Sequence, residues 1–223
     1  MKPISNDSNN SYKVITLGEA GAGKTSLLLR YTRNVFDPNI STTIGANFFT
    51  VPVEYNQQLG IELELWDTAG QERYRSVLPL YSHNSSAILL VFDVSGDDPA
   101  GSISYWYDYI INNIKLPNVS ENTDNTVPES NQNKFIPVYL VGNKYDLIDD
   151  KYNISDFQHQ IEEIAKKYGM KLFFTSAKTG QNINALFKTL INDIVRLENR
   201  GMAIEKRMTL DSTKTENAKC CGG

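Results

Sequence analysis

Residues Gly18 to Thr25 read GEAGAGKT and match the spacing G-x-x-x-x-G-K-[ST]. They follow Tyr12–Leu17, a short apolar run that predicts a buried strand, and they lead into a predicted helix at about Lys24–Thr32. In this context the motif is typical of phosphate binding, because glycines let backbone N–H groups converge on phosphate oxygens at a helix N-terminus. We expect Lys24 to reach the β- and γ-phosphates of a nucleotide and the Thr25 hydroxyl to coordinate Mg²⁺. The alternative is a glycine-rich turn without a ligand, which the flanking strand and helix disfavour.

Strand-like and helical segments alternate along the rest of the chain. Short apolar runs predict central strands, and longer segments with apolar residues near the 3.6-residue period predict helices. The further strands are predicted at Phe48–Tyr55, Ile61–Trp66, Ala87–Val91, Val138–Val141 and Leu172–Thr175, and the further helices at Ser102–Lys115, Phe157–Tyr168 and Ile183–Glu198. Asn56–Gly60 is predicted to be a hairpin loop. We therefore predict an α/β fold with a mostly parallel six-stranded sheet, flanked by helices on both faces, in one domain over residues 12–198.

Three segments do not fit a compact core. Residues 1–11 and 199–223 are predicted to be a flexible N-terminus and a flexible, hypervariable tail. Pro117–Lys134 consists largely of Asn, Ser, Thr, Glu and Pro, and it cannot bury enough apolar surface to offset the entropy of ordering it. We interpret it as a polar surface loop inserted between a helix and a strand. An insertion without a function of its own is the simplest account of it.

Composition narrows the possible classes of protein. The chain has 223 residues and a net charge of −4 without a basic stripe, so nucleic acid is not expected as a partner. No apolar run approaches the roughly 20 residues of a membrane-spanning helix, and the start has neither a signal-peptide pattern nor a myristoylation glycine. We therefore expect a cytosolic protein.

Its two cysteines, Cys220 and Cys221, are adjacent. Their Cα atoms, about 3.8 Å apart, are too close for an ordinary disulfide.

The second motif with chemical meaning is Asp67-Thr68-Ala69-Gly70, which follows the predicted strand Ile61–Trp66. Asp67 is expected at the carboxyl edge of the sheet, where a carboxylate can hold Mg²⁺. Gly70 permits a close approach of the backbone to a γ-phosphate. Such a motif is a weak indication of nucleotide binding when it occurs alone. It is a strong indication here because it follows a phosphate-binding loop.

Two further motifs select the base. Asn143-Lys144-Tyr145-Asp146 follows the strand Val138–Val141, at the sheet edge where α/β proteins bind ligands. The Asp146 carboxylate can accept two hydrogen bonds from guanine N1–H and the exocyclic amine, a donor pair that adenine lacks. The Lys144 stem can lie along the base plane. A backbone N–H of Ser176-Ala177-Lys178 can donate to guanine O6, so together these motifs favour guanine.

The stretch Trp66-Asp67-Thr68-Ala69-Gly70-Gln71-Glu72-Arg73-Tyr74 resembles the Rab branch of the Ras superfamily of small GTPases. The resemblance covers residues 12–198, apart from the insertion, together with the terminal cysteines. It implies the small G domain of the P-loop NTPases. It also implies a cycle between an inactive GDP state and an active GTP state, with Mg²⁺-dependent hydrolysis that is slow without an activating protein.

The resemblance also implies roles for individual residues. Gln71 matches the glutamine that orients the attacking water, and with Lys24 and Thr43 it forms the expected catalytic set. Thr43 matches the threonine that binds Mg²⁺ and the γ-phosphate in the GTP state, and Phe36 matches the aromatic residue that packs against guanine. The expected metal ligands are Thr25, Thr43 and Asp67, and the expected effector contacts are Ile44, Phe48, Trp66 and Tyr81. The expected nucleotide-binding set is Gly18, Ala20, Gly21, Ala22, Gly23, Lys24, Thr25, Ser26, Phe36, Thr43, Asp67, Gly70, Asn143, Lys144, Asp146, Ser176, Ala177 and Lys178.

The resemblance finally implies partners and a location. An exchange factor, a GTPase-activating protein, a GDP-dissociation inhibitor and effectors are expected to act on a monomer. Geranylgeranyl groups on Cys220 and Cys221 would hold it at the cytoplasmic face of an endomembrane organelle, with a cytosolic pool. Two lipid chains fit this expectation, because one chain gives only marginal membrane binding.

The sequence departs from the Rab pattern at a few positions. Ala20 stands where many relatives carry Gly or Ser, close to where Gln71 must act, so a GTP-binding scaffold with negligible hydrolysis stays an alternative. Ser82-His83-Asn84 replaces the common Tyr-Arg-Gly, and Gly96–Gly101 replaces a polar stretch. A different P-loop enzyme, such as an ATPase or a small-molecule kinase, is a further alternative, which Asn143–Asp146 disfavours.

Overall fold

The computed structural model describes residues 11–55, 59–114, 136–148 and 154–199. The chain divides into two compact units, residues 1–186 and 187–223. The predicted insertion at Pro117–Lys134 lies outside the described residues, as do residues 1–10 and 200–223, which include Cys220 and Cys221. The predicted single domain over residues 12–198 therefore stays a prediction.

The first unit contains a six-stranded sheet in the order β2-β3-β1-β4-β5-β6. Only the β2–β3 pair is antiparallel, and the other four pairs are parallel, which confirms the predicted mostly parallel α/β sheet. The strands are β1 (Ser11–Leu17), β2 (Ala46–Tyr55), β3 (Leu59–Thr68), β4 (Ala87–Asp93), β5 (Val138–Asn143) and β6 (Lys171–Phe174). The helices are α1 (Lys24–Arg33), α2 (Leu78–Ser82), α3 (Pro99–Asn113) and α4 (Ile154–Lys167). In the first unit residues 183–186 are also helical, and in the second unit the described residues 187–199 are helical.

The central strands β4 and β5 are buried on both faces, which explains why they are nearly continuous apolar runs. Ile15 pairs with Ile88 in register, and both belong to a core cluster that also contains Trp106 of α3 and Ile161 of α4. The neighbouring residue Val14 points to the opposite face, where α1 packs against β3. Helices on both faces of the sheet are thus confirmed.

The start of α3 corrects the predicted helix at Ser102–Lys115. The helix begins at Pro99, because the Asp98 side chain caps it by accepting a hydrogen bond of 2.9 Å from Gly101 N. A Cβ atom on Gly101 would lie 2.0 Å from Asp98 Oδ2, so the cap needs glycine there. Proline at the first helical position and an aspartate cap are start signals, although the same residues are also typical of loops.

The β2–β3 hairpin corrects a second prediction. Leu59 and Gly60 pair with Tyr55 and Glu54, so the strands continue into the predicted loop Asn56–Gly60. After β3 the sequence predicts no regular structure, but a 3₁₀ turn at Glu72–Val77 leads directly into the five-residue helix α2. An element this short carries too few residues for a periodic signal.

The topology sets the position of the site. β1 lies between β3 and β4, and the order of the strands reverses direction at this position in the sheet. Open α/β sheets bind ligands at such a switch point, outside the carboxyl ends of the strands. The segments that follow β1, β3, β5 and β6 therefore meet at one edge. Within the described ranges, no helix combines the length and apolarity that crossing a bilayer requires.

Candidate nucleotide site

A cleft of about 460 Å³ opens at this edge of the sheet. It has the size of small-molecule sites in general, which span roughly 300–1,000 Å³. Its walls come from the loop after β1, the segment between α1 and β2, the end of β3, and the loops after β5 and β6. Its lining includes Ala20, Gly21, Gly23, Lys24, Thr25, Ser26, Phe36, Thr43, Gly70, Asn143, Lys144, Asp146, Ala177 and Lys178.

The loop between β1 and α1 follows a path that only glycine allows at two positions. Gly18 has φ of 136°, and a Cβ atom there would lie 1.9 Å from the Val91 carbonyl oxygen. Gly23 has φ of 85°, and its Cβ atom would lie 2.3 Å from Asn143 Nδ2. The loop therefore packs closely against Val91 of β4 and Asn143 of β5. Ala20, Gly21 and Gly23 of the loop also line the cleft.

Lys24 lies beneath this loop and is almost fully buried. Its Nζ atom donates to Gly18 O at 2.9 Å and to Glu19 O at 2.7 Å. Burial lowers the pKa of Lys24 to about 8, against the opposing attraction of Asp67 and Glu19. An ammonium group that loses hydration in this way is stabilised by an anion in the cleft, as a phosphate would provide.

The three predicted metal ligands meet at the floor of the cleft. Thr25 Oγ1 donates to Asp67 Oδ2 at 2.7 Å and lies 2.6 Å from Thr43 Oγ1. Thr43 Oγ1 also donates to Asp67 Oδ2, at 3.2 Å. Burial is the main cause that raises the pKa of the Asp67 carboxyl, and its Oδ1 atom is buried without a hydrogen-bond partner. A buried oxygen of this kind, beside two hydroxyl groups, is suited to a cation.

The segment after β3 packs tightly against the phosphate loop. A Cβ atom on Gly70 would lie 2.4 Å from Ala20 N and 2.4 Å from the Glu19 carbonyl carbon, so no larger residue fits without moving backbone. Ala69 N donates to Gly45 O at 2.9 Å. The segments that carry Thr43 and Gly70 are therefore joined by a backbone hydrogen bond.

The far end of the cleft holds the residues predicted to bind the base. Ser176 Oγ donates to Asp146 Oδ1 at 2.6 Å, and Lys178 Nζ lies 3.7 Å from Asp146 Oδ2. Thr179 N donates to Ser176 Oγ at 3.1 Å, which fixes the hydroxyl. Ser176 itself does not line the cleft, so its predicted place in the site is beside the Asp146 carboxylate.

Asn143 connects the two ends of the site. Its Nδ2 atom donates to Ala22 O at 3.0 Å, and its Oδ1 atom accepts from Ala177 N at 3.1 Å. The side chain is buried and ties the phosphate loop, Gly18–Thr25, to the loop that carries Ser176–Lys178, which we call the base loop. Lys144, the next residue, has φ of 62° and forms an ion pair of 2.6 Å with Asp93 Oδ2.

A few predicted residues do not line the cleft. Gln71 is half-buried and begins the 3₁₀ turn at Glu72–Val77, outside the lining. Gly18, Ala22, Asp67 and Ser176 lie behind the surface and act on it through the contacts above.

The predicted effector residues form an aromatic row beside the cleft. The rings of Phe48 and Trp66 stack at 5.6 Å between centroids, and Trp66 lies 5.9 Å from Tyr81. Phe48 is 60% exposed and Ile44 is 77% exposed, whereas Trp66 is also packed against the core cluster. Trp66 is thus part of both the core and the surface.

Sequence reasoning missed three residues, two beside the site and one in the 3₁₀ turn that follows Gln71. Asp93 ends β4 and pairs with Lys144. Its position after an apolar strand is the same signal that indicates Asp67, and it could have been found in the same way. Arg30 contacts the base loop, and Arg75 packs its guanidinium over Tyr105 and Trp106 of α3 at 4.9 and 5.5 Å. Neither arginine carries a local signal.

The phosphate loop on a mostly parallel sheet, with oxygen ligands at its carboxyl edge, defines a nucleotide-binding protein of the P-loop class. Among the described residues no group of three or more His, Cys, Asp or Glu could hold a metal. A protein-family model described as the Ras family matches residues 13–196.

Relatives of known name match most of the chain. It is 34% identical over 218 residues to the Ras-related protein RABE1d of Arabidopsis thaliana, a match that covers 94% of this chain and 91% of the relative. It is 33% identical to the Ras-related protein Rab-27B of Rattus norvegicus, with 92% and 88% covered. It is 32% identical to the Ras-related protein Rab-8B of Homo sapiens, with 86% and 82% covered. The chain therefore belongs to the Ras family, as a small GTPase of the Rab type.

Proposed function

We propose that this GTPase is a Mg²⁺-dependent switch that binds GTP in the cleft and hydrolyses it to GDP. In its GTP state it recruits effectors to the cytoplasmic face of an endomembrane organelle in vesicle trafficking. The observation that carries the proposal is the meeting of Thr25, Thr43 and Asp67, which come from three separate segments, within hydrogen-bond distance. Exchange factors, activating proteins and a GDP-dissociation inhibitor would act on the same cycle.

The residues at the floor of the cleft fit Mg²⁺. This ion takes hard oxygen ligands and is commonly held by one or two carboxylates together with waters and phosphates. Asp67 has one oxygen without a partner, and Thr25 and Thr43 add hydroxyl oxygens. When bound, the ion would neutralise charge that develops on the phosphates. Lys24 would supply the second positive charge from beneath the loop.

The switch depends on how the protein's own segments are tied. A γ-phosphate would hold Thr43 on one side and the Gly70 backbone on the other, while the Gly45–Ala69 hydrogen bond joins the two segments. Loss of that phosphate releases both contacts at once, so the segments loosen together. Effectors then distinguish the two states by their different affinity for the ordered surface.

Native mass spectrometry of the full-length protein tests the nucleotide and the metal together. We expect one GDP or GTP and one Mg²⁺ per chain, with release of the nucleotide once EDTA removes the ion and retention when excess Mg²⁺ is restored. The reason is that Thr25 and Asp67 would hold the ion, and the ion would in turn help to hold the phosphates. Recovery of mainly ADP or ATP, or retention unaffected by EDTA, would contradict the proposal.

The proposed membrane anchor is a pair of prenyl groups on Cys220 and Cys221, which lie outside the described residues. It is supported by the two adjacent cysteines, which follow a polar segment, and by the need for two lipid signals in stable anchoring. The same protein, purified from its native source and measured under denaturing conditions, should carry two prenyl groups on its C-terminal peptide. Two unmodified thiols would refute the anchor.

The effector surface is proposed to be the aromatic row of Phe48, Trp66 and Tyr81 together with Ile44. A partner that binds the GTP state but not the GDP state of the wild type should bind Phe48→Ser at least about tenfold more weakly, since an exposed aromatic side chain is a typical hot spot. Ile111→Ser is the matched control, because Ile111 is half-exposed on α3, outside this row. Equal losses in the two variants would place the contact elsewhere.

A further inference from the structure

Arg30 makes four hydrogen bonds, two of which reach from α1 to the loop after β6 on the base side of the cleft. Its Nε atom donates to Ala177 O at 2.7 Å, and its Nη2 atom donates to Lys178 O at 2.8 Å. Its Nη1 atom donates to Asn34 O at 3.0 Å and to Asn34 Oδ1 at 3.1 Å. A guanidinium group has five N–H donors in a rigid fork, so the acceptors are held in a defined geometry.

The bond to Ala177 O fixes the peptide between Ala177 and Lys178, and the bond to Lys178 O fixes the next peptide along the chain. A trans peptide is planar, and its C=O and N–H groups point in opposite directions. Because Ala177 O points at Arg30, the Lys178 N–H points away from it. Ala177 and Lys178 line the cleft and Arg30 does not, so this N–H is turned toward the space where the base would lie. The Ala177 N–H is itself occupied by Asn143 Oδ1 at 3.1 Å.

The bonds to Asn34 tie the same fork to the end of α1. Asn34 caps this helix with φ of 54°, and its backbone N–H donates to Arg30 O. Phe36, which lines the cleft, follows two residues later. One side chain therefore joins the loop after β6 to the start of the segment that leads to Thr43.

We propose that Arg30 is a positioning residue that sets how long guanine nucleotide stays bound, by aiming the Lys178 N–H at the 6-oxygen of the base. This inference rests on the proposed function, since it assumes that guanine occupies the cleft. Loss of the guanidinium leaves the Ala177 and Lys178 carbonyls without their donor, and the peptide is then free to turn. The contact with the base oxygen is lost, while Lys24 and the metal ligands are untouched.

The test compares GDP dissociation rates of the full-length wild type, Arg30→Ala and Arg30→Lys. Loss of one well-aimed hydrogen bond corresponds to about tenfold in dissociation rate, so we expect Arg30→Ala to release GDP about tenfold faster or more. Arg30→Lys should fall between the two, because a single ammonium cannot reach all the acceptors in one geometry. Arg33→Ala is the matched control. Arg33 lies in the same helical turn, with its guanidinium over Phe49, and should leave the rate unchanged.

A second nucleotide distinguishes the loss of the contact with the base 6-oxygen from a general loosening of the fold. The diphosphate of 2-aminopurine riboside keeps the sugar and phosphates but lacks the 6-oxygen, so the wild type and Arg30→Ala should release it at equal rates. Equal acceleration for GDP and the analogue would overturn the proposal, as would a wild-type GDP rate in Arg30→Ala. If Arg30→Ala does not fold, the dissociation rates of GDP and of the analogue are compared in Arg30→Lys instead, with the same expected results. A wild type that retains no GDP at all would instead refute the proposed function.

Discussion

Replacing Asp146 by Asn is expected to move the preference of the protein from guanine to xanthine nucleotides. The carboxylate can accept from both guanine N1–H and the 2-amine, whereas an asparagine places a donor against one of them. Loss of two charge-assisted hydrogen bonds predicts about 10²–10⁴-fold weaker GDP binding. Xanthine has a carbonyl in place of the amine, so the amide group that Asp146→Asn introduces would match it with one donor and one acceptor. Binding of GDP and XDP, measured in parallel, checks this.

The surroundings of Asp146 make the substitution interpretable. Ser176 Oγ donates to Oδ1, a bond that an amide oxygen can also accept, so the loop should keep its shape. Asp108→Asn is the matched control, because Asp108 is exposed on α3 away from the cleft. Unchanged GDP affinity in Asp146→Asn would remove Asp146 from its assigned role. Equal weakening of GDP and XDP with a lower melting temperature would point to damage of the fold.

The parts of the site that the sequence predicts are those with local signals. Gly18–Thr25, Asp67–Gly70 and Asn143–Asp146 each follow an apolar strand, and parallel strands bring their carboxyl ends to one edge. Sequence position alone therefore indicates which side chains meet. The meeting of Thr43 with Asp67 is expected only from the resemblance, since Thr43 lies in a segment without regular structure.

The parts that were missed depend on contacts between distant residues. Arg30 and Ala177 are 147 positions apart, and nothing near either residue indicates the bond. Arg75 likewise meets Tyr105 only because α3 packs against β4. The start of α3 was missed for a different reason. The glycines and proline of Gly96–Gly101 are typical of a loop, although proline and aspartate also begin helices.

The 3₁₀ turn that follows Gln71 is held against α3 and not against the cleft. Arg75 Nη1 donates to the Tyr105 hydroxyl at 2.7 Å, and the Tyr109 hydroxyl donates to Arg75 O at 2.5 Å. Gln71 precedes this turn and does not line the cleft. An activating protein would have to bring it there, which explains why intrinsic hydrolysis is expected to be slow.

Gln71→Leu is therefore expected to change GTP hydrolysis little in the isolated protein and strongly when an activating protein is present. Intrinsic single-turnover hydrolysis of GTP should change by less than about tenfold, because the amide contributes little before it is positioned. With an activating protein that accelerates the wild type, the variant should be slower by about 10²-fold or more, since misplacing a reacting water costs that much.

Two comparisons make the Gln71 result specific. Gln181→Leu applies the same change to an exposed glutamine outside the cleft lining and should leave both hydrolysis rates near those of the wild type. Nucleotide retention in Gln71→Leu should also be unchanged, because Gln71 does not line the cleft. Equal acceleration of the variant and the wild type by the activating protein would show that another group orients the water. A strongly reduced intrinsic rate would show that Gln71 already reaches the nucleotide without help, against the placement of its turn on α3.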